Sequence, residues 1–177
     1  MSLITLVTGG ARSGKSRYAV ETAMAFPRRV FLATAVPFDD EMRERIAKHR
    51  AERGDAFRTV EEPEDLASAL RAVSSDADVI LIDCLTVWLG NLMHRYGADK
   101  TWYPAIDALL AALARPPCRI ILVTNELGMG LVPETPMGRR YRDIAGTVNS
   151  RVAALADRVV LMVSGIPVVV KDAPNNG

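Results

Sequence analysis

Short apolar runs alternate with stretches of helical periodicity along most of the chain. Leu3-Ile4-Thr5-Leu6-Val7-Thr8 reads as a buried strand, and Lys15 to Phe26 as the helix that follows it. Val30-Phe31-Leu32-Ala33 is a second strand. A charged helix from about Asp39 to Arg53 comes next, with acidic residues at its start, where the helix dipole favours them. Glu64 to Val73 forms a further helix. Val79-Ile80-Leu81-Ile82, closed by Asp83, and Arg119-Ile120-Ile121-Leu122-Val123 are strands, with helical segments at Leu85–Tyr96 and Tyr103–Ala114 between them. A last long helix covers roughly Met137 to Ala156, with Tyr141, Ile144, Val148, Val152 and Leu155 as its core stripe. Val159–Val163 and Pro167–Val170 close the chain around Ser164-Gly165. Strands that are apolar almost throughout are covered on both faces. The expected fold is therefore α/β, a three-layer α/β/α sandwich around a mostly parallel sheet. No repeat or interdomain linker interrupts it, so residues 1–177 are expected to form a single domain.

Composition narrows the function classes. Of 177 residues, 49% are hydrophobic and 24% charged, a globular balance. A net charge of +1 gives no phosphate-neutralising excess, so no nucleic-acid partner is expected. No apolar run approaches the ~18 residues of a membrane span, and Met1-Ser2-Leu3-Ile4 lacks the basic start of a signal peptide. The two cysteines, Cys84 and Cys118, match no zinc or redox spacing, and a reduced, cytoplasmic protein is expected.

The clearest chemistry lies between the first strand and first helix. Gly9-Gly10-Ala11-Arg12-Ser13-Gly14-Lys15-Ser16 fits the phosphate-loop pattern G-x-x-x-x-G-K-[ST]. Gly9 and Gly14 let the backbone turn its N–H groups towards phosphate oxygens, and the helix N-terminus adds positive potential. Lys15 is expected to reach the β- and γ-phosphates of a nucleoside triphosphate, and Ser16 to ligate Mg²⁺. Asp83, at a strand end, is placed to hold the same Mg²⁺ directly or through water, or to cap the next helix.

A second candidate is the charged helix. Arg45, His49 and Arg53 fall on one face at i, i+4 spacing. Nearby cations disfavour protonation of the imidazole, a neutral imidazole can act as a nucleophile, and guanidiniums hold polyphosphate. A solvated helix laced by pairs such as Glu41–Arg45 and Glu44–Lys48 explains the same spacing. His94 has no comparable arrangement and reads as structural. Asn125-Glu126, directly after a strand, lies where a parallel sheet forms its ligand crevice; either substrate contact or loop capping suits it. Arg139, Arg140 and Arg142 are read as facing phosphate or solvent, mostly solvent.

Taken together the motifs resemble the bifunctional adenosylcobinamide kinase/adenosylcobinamide-phosphate guanylyltransferase family of cobalamin biosynthesis. The likeness runs along nearly the whole chain: Thr8 to Arg17, Ala33-Thr34-Ala35, Asp40-Glu41-Met42 through Arg45-Ile46 to His49 and Arg53, and Thr59 with Glu61. It continues through Val123-Thr124-Asn125-Glu126 with Gly128-Met129-Gly130 and Val132-Pro133-Glu134, Arg142 to Gly146 with Val148-Asn149, and Val163 to Ile166. The phosphate loop is shared by many families; the histidine helix and the Asn-Glu-x-Gly-Met-Gly segment are far more specific.

The resemblance implies a P-loop NTPase fold of the RecA-like kind. It implies that His49 becomes covalently guanylylated, and that GTP is contacted at Ala33, Thr34, Ala35, at Arg50, Ala51, Glu52 and Arg53, at Glu61 and at Asp83. It implies adenosylcobinamide and adenosylcobinamide phosphate as substrates, ATP or GTP as phosphoryl donor, and a homo-oligomer with a trimer as candidate form. The chain departs from the family at Gly54 and Phe57, where Pro and Trp are common, at Thr135-Pro136, where an Asn is common, and at Asp83, which is often Glu. Two other readings of the phosphate loop compete: a simple small-molecule kinase with a structural His49, and a non-enzymatic GTP-binding switch.

Overall fold

The computed structural model describes residues 3–37 and 40–173, apart from the side chains of Glu41, Met42, Arg45, Lys48, His49, Glu52 and Arg53. Seven strands make one sheet: β1 Ile4–Gly9, β2 Arg29–Ala33, β3 Arg58–Glu61, β4 Val79–Asp83, β5 Arg119–Val123, β6 Arg158–Val163 and β7 Ile166–Asp172. Six helices connect them: α1 Lys15–Ala23, α2 Asp40–Arg53, α3 Leu66–Val73, α4 Leu85–Tyr96, α5 Pro104–Leu113 and α6 Pro136–Leu155. The strand order is β3-β2-β4-β5-β1-β6-β7, parallel except for the antiparallel β6–β7 pair.

The apolar strands resolve into two cores because successive side chains leave opposite faces. Ile4, Leu6, Leu32, Ile80, Ile82, Ile120 and Leu122 pack with Leu70, Trp88, Leu92, Leu109 and Val148 from α3 to α6. Val7, Phe31, Leu81, Ile121 and Val123 pack with Ala19 and Ala23 of α1. The helices are thus divided unequally, four against one face and α1 against the other.

The structure corrects several expected boundaries. α1 stops at Ala23, three residues short, and Arg29 turns back to bind the carbonyl of Phe26 at 2.6 Å, just past the helix. β3 does not stand out in the sequence, since Arg58, Thr59 and Glu61 surround a single apolar Val60 and the strand lies at the sheet edge. α3 begins at Leu66 rather than Glu64, because Asp65 is its N-cap and accepts from Ser68 N at 3.0 Å. Asp65→Ala is expected to cost about 1 kcal/mol of stability, checked by urea unfolding. In α6 the stripe Ile144, Val148 and Val152 is buried as expected, but Leu155, the last helical residue, is exposed. β7 is apolar yet exposed along most of its length, an uncovered edge strand rather than a buried one. Among the described residues no helix is long and apolar enough to cross a membrane.

Candidate active site

The sheet's C-terminal edge carries most of the predicted site residues. Strand register places Glu61, Ala33, Asp83, Val123 and Val7 in one row from β3 to β1. Residues in one row of a parallel sheet share a face, and Val7 and Val123 belong to the α1 side. Asp83 and Glu61 therefore lie on the side where α1 opens.

The phosphate loop leaves β1 through Gly9, whose φ is +146°. A Cβ there would meet the carbonyl oxygen of Met162 in β6 at 2.5 Å, so only glycine lets the loop pass β6. Gly14, at φ +92°, turns the chain into α1. Gly10, Ala11 and Arg12 form the exposed crest. Ser13 is buried, and its carbonyl accepts from Gly165 N at 3.1 Å, so the β6–β7 turn braces the loop.

Lys15 is only 7% exposed, and its ammonium donates to the carbonyl of Gly10 at 2.5 Å and to Ser13 Oγ at 3.5 Å. Burial lowers its pKa, while Cys84 and Asp83 act in the opposite sense. Strand register puts Asp83 on the α1 side, where its charge acts on Lys15 at the start of that helix and Ser16 is half-buried. The N-cap position of α4 falls on Cys84, not on Asp83. The Cys84 thiol is pushed up to about 11, chiefly by burial and then by Asp83, and stays neutral at ordinary pH.

Among the described residues no group of three or more His, Cys, Asp or Glu could hold a metal. One carboxylate and one hydroxyl still fit Mg²⁺, which keeps several waters and draws further ligands from substrate phosphates.

Thr34 is fully buried. Its hydroxyl donates to the carbonyl of Cys84 at 2.9 Å and accepts from Cys84 N at 2.8 Å, and its own carbonyl accepts from Asn91 Nδ2 at 2.7 Å. Its side chain ties β2 to the end of β4, while its neighbours Ala33 and Ala35 are half-buried. Arg50 of α2 pairs with Glu61 at 3.9 Å, with both groups well exposed. This contact sets the His49–Arg50 turn of α2 at the same sheet edge. Ala51 is exposed. The side chains of Arg45, His49, Glu52 and Arg53 lie outside the described residues, as do the Glu41–Arg45 and Glu44–Lys48 pairs.

Sequence reasoning overlooked a buried polar network behind the loop. Thr8 Oγ1 donates to Glu126 Oε1 at 2.5 Å, and Asn149 Nδ2 reaches the carbonyl of Asn125 at 3.0 Å. Thr124 Oγ1 donates to Asn149 Oδ1 at 2.8 Å, and Asn125 N donates to Thr86 Oγ1 at 2.9 Å. The available signal was polar residues interrupting apolar faces, Thr8 and Thr124 at strand ends and Asn149 within the α6 stripe. The α6 arginines are not mainly solvent-facing. Arg139 binds the carbonyls of Pro133 and Glu134, and Arg140 that of Ala98, which anchors the start of α6.

With β5 inserted between the strand that leads into the phosphate loop and the strand that ends in Asp83, the sheet and its site define a P-loop NTPase of RecA-like order. A solved ATPase from the type III secretion system of pathogenic bacteria shares the fold, with a TM-score of 0.55 at 10% identity; the match covers 90% of this chain and 50% of that one. More narrowly, the sequence model of the cobinamide kinase / cobinamide phosphate guanyltransferase family matches residues 5–170, and the chain belongs to that family. It is 44% identical to the bifunctional adenosylcobalamin biosynthesis protein CobU of Escherichia coli (strain K12), over 96% of this chain and 100% of the relative. It is 43% identical to the bifunctional adenosylcobalamin biosynthesis protein CobP of Pseudomonas aeruginosa PAO1, over 96% of this chain and 98% of that relative.

Proposed function

We propose that this enzyme performs two successive reactions at one sheet edge. In the first, ATP or GTP donates its γ-phosphoryl group to the hydroxyl of adenosylcobinamide. Lys15 stabilises charge on the transferring group. Ser16 and Asp83 would hold Mg²⁺, which supplies electrostatic stabilisation of the phosphates when bound. In the second, neutral His49 attacks the α-phosphorus of GTP and expels pyrophosphate. The phosphate of adenosylcobinamide phosphate then displaces the imidazole, giving adenosylcobinamide-GDP. The covalent step splits one hard displacement into two easier ones.

The observation that carries this reading is the single row Glu61–Ala33–Asp83 joined to α2 by the Arg50–Glu61 pair. It puts the turn of α2 that contains His49 on the edge that also holds Lys15. The guanidinium of Arg50 and the carboxylate of Glu61 offer contacts for the nucleotide, in line with the resemblance.

The same row implies a distance problem. β3 and β1 are four strand spacings apart, about 19 Å, so a triphosphate held by its γ-end at the loop does not bring its α-phosphate to α2 without rearrangement. Of the described α2 side chains only Ile46 is half-buried, so little packing holds the helix down. We infer that α2 moves between the steps, or that GTP adopts two poses. Pro37 and Gly54, the latter at φ +51° with open space around it, are the hinge candidates; Phe38, on the same expected hinge, lies outside the described residues. Crystals with and without GTP that share one α2 position and one triphosphate pose would remove that inference.

The enzyme is further read as a cytoplasmic homo-oligomer. A second copy would cover the exposed apolar side chains of β7.

The two-step reading is tested by incubating the protein with adenosylcobinamide, Mg²⁺ and GTP and following products by mass spectrometry. The phosphate ester is expected to appear first and the GDP ester after it. Accumulation of the phosphate ester alone would leave a simple kinase, and tight GTP binding with no product would leave a switch.

A further inference from the structure

Glu126 follows β5, which pairs with β1, so it lies at the strand end where the phosphate loop begins. Its amide donates to the carbonyl of Gly9 at 3.2 Å. Its Oε1 accepts from Thr8 Oγ1 at 2.5 Å and from Asn149 Nδ2 at 3.5 Å. These bonds fix the group beside the first residue of the loop. The other described acidic side chains along this edge have different work. Glu61 faces Arg50, Glu62 accepts the amides of Glu64 and Asp65, and Asp83 lies beside Lys15.

Three residues further on, from Met129, the chain becomes apolar and exposed. Met129 is 75% exposed, Leu131 96%, Val132 66% and Met137 58%. Met129, Leu131 and Val132 lie in one short loop and Met137 in the first turn of α6, and so many large apolar side chains exposed close together form a patch rather than a scatter. The loop is anchored at its far end, where Arg139 holds the carbonyls of Pro133 and Glu134 and Thr135 Oγ1 accepts from Gly138 N at 3.1 Å. A carboxylate at the phosphate loop, continuous with an apolar platform, matches an acceptor with a broad apolar body and a hydroxyl on a short arm.

We propose that Glu126–Met137 is the acceptor site of the kinase step, with the apolar loop seating the body of a corrinoid alcohol and Glu126 taking the proton from its hydroxyl. This rests on the kinase reading above. The acceptor O–H bond breaks and its proton passes to the Glu126 carboxylate. The oxygen bonds to the γ-phosphorus. The bond from that phosphorus to the β,γ-bridging oxygen breaks, and its electron pair leaves with the nucleoside diphosphate. Thr8 and Asn149 are positioning residues that hold Oε1.

The test is steady-state kinetics of the full chain with cobinamide and GTP. Wild-type protein that forms no cobinamide phosphate sinks the kinase reading itself, separately from this proposal. With an active wild type, Glu126→Gln, which keeps an oxygen for Thr8, is expected to lower kcat by about 10²-fold and to flatten the low-pH limb of the kcat profile. Glu126→Asp should recover part of the rate. A GTP-induced rise in melting temperature checks that each variant is folded. Near-wild-type kcat with the low-pH limb intact in folded Glu126→Gln overturns the assignment of the base. The pair Leu131→Ser and Val132→Ser is expected to raise KM for cobinamide about tenfold, with KM for GTP unmoved. An unmoved cobinamide KM overturns the platform; if the same pair also dissociates an oligomer in sedimentation, a second copy covers the loop instead.

Discussion

Lys15→Ala is expected to slow phosphoryl transfer to cobinamide by about 10³-fold, measured as kcat with saturating GTP. The ammonium is buried at the start of α1 and held by the carbonyl of Gly10 and by Ser13 Oγ. It is aimed before any substrate arrives, and such preorganised charge is what phosphoryl transfer needs. Stability should respond in the opposite sense. Burial lowers the Lys15 pKa, so the folded chain binds this proton less tightly than the unfolded chain. The cost of the buried charge is fully present below the folded pKa and is relieved as pH rises from there towards the ordinary lysine value. Wild type should therefore gain stability relative to Lys15→Met across that window, read by thermal unfolding. A Lys15→Ala enzyme with near-normal kcat would remove the phosphate loop from the phosphoryl-transfer step.

His49→Ala is expected to abolish formation of the GDP ester while the phosphate ester still accumulates. The two reactions share a sheet edge but not a nucleophile. The hydroxyl of cobinamide attacks in the first, and the imidazole in the second. Loss of both products in a folded His49→Ala protein would instead make the helix part of the phosphoryl-transfer site. Loss of neither would return His49 to the solvated-helix reading that its spacing alone favours.

The elements that could be read from sequence are those whose local signals agree. The β1–loop–α1 unit combines an apolar strand, glycines required by backbone geometry and a helix start. β4 with its terminal Asp83 and the stripe Ile144, Val148 and Val152 were also legible, since burial and period coincide there. β3 was not, because an edge strand of four residues with one apolar side chain carries almost no period. β7 was legible as a strand but not as an exposed one, because hydrophobicity does not say whether a helix will cover it.

The site shows the same division. The Gly9–Ser16 loop is local in sequence. The hydrogen bond between Thr8 and Glu126 joins residues 118 positions apart, and no local pattern encodes it. Asp83 and Glu61 come into one row, on either side of Ala33, only through strand order and register. The account of His49 rests on resemblance and on the placement of its helix by Arg50 and Glu61.

The most direct test of two reactions on one P-loop domain is to incubate the protein with GTP labelled at the α-phosphate, denature it and map the label. A guanylyl-imidazole is a phosphoramidate, so the bound label should be acid-labile and alkali-stable, lie on the peptide containing His49 and be absent from His49→Ala. Active, folded wild-type enzyme that carries no label, or carries it on another residue, would contradict the account.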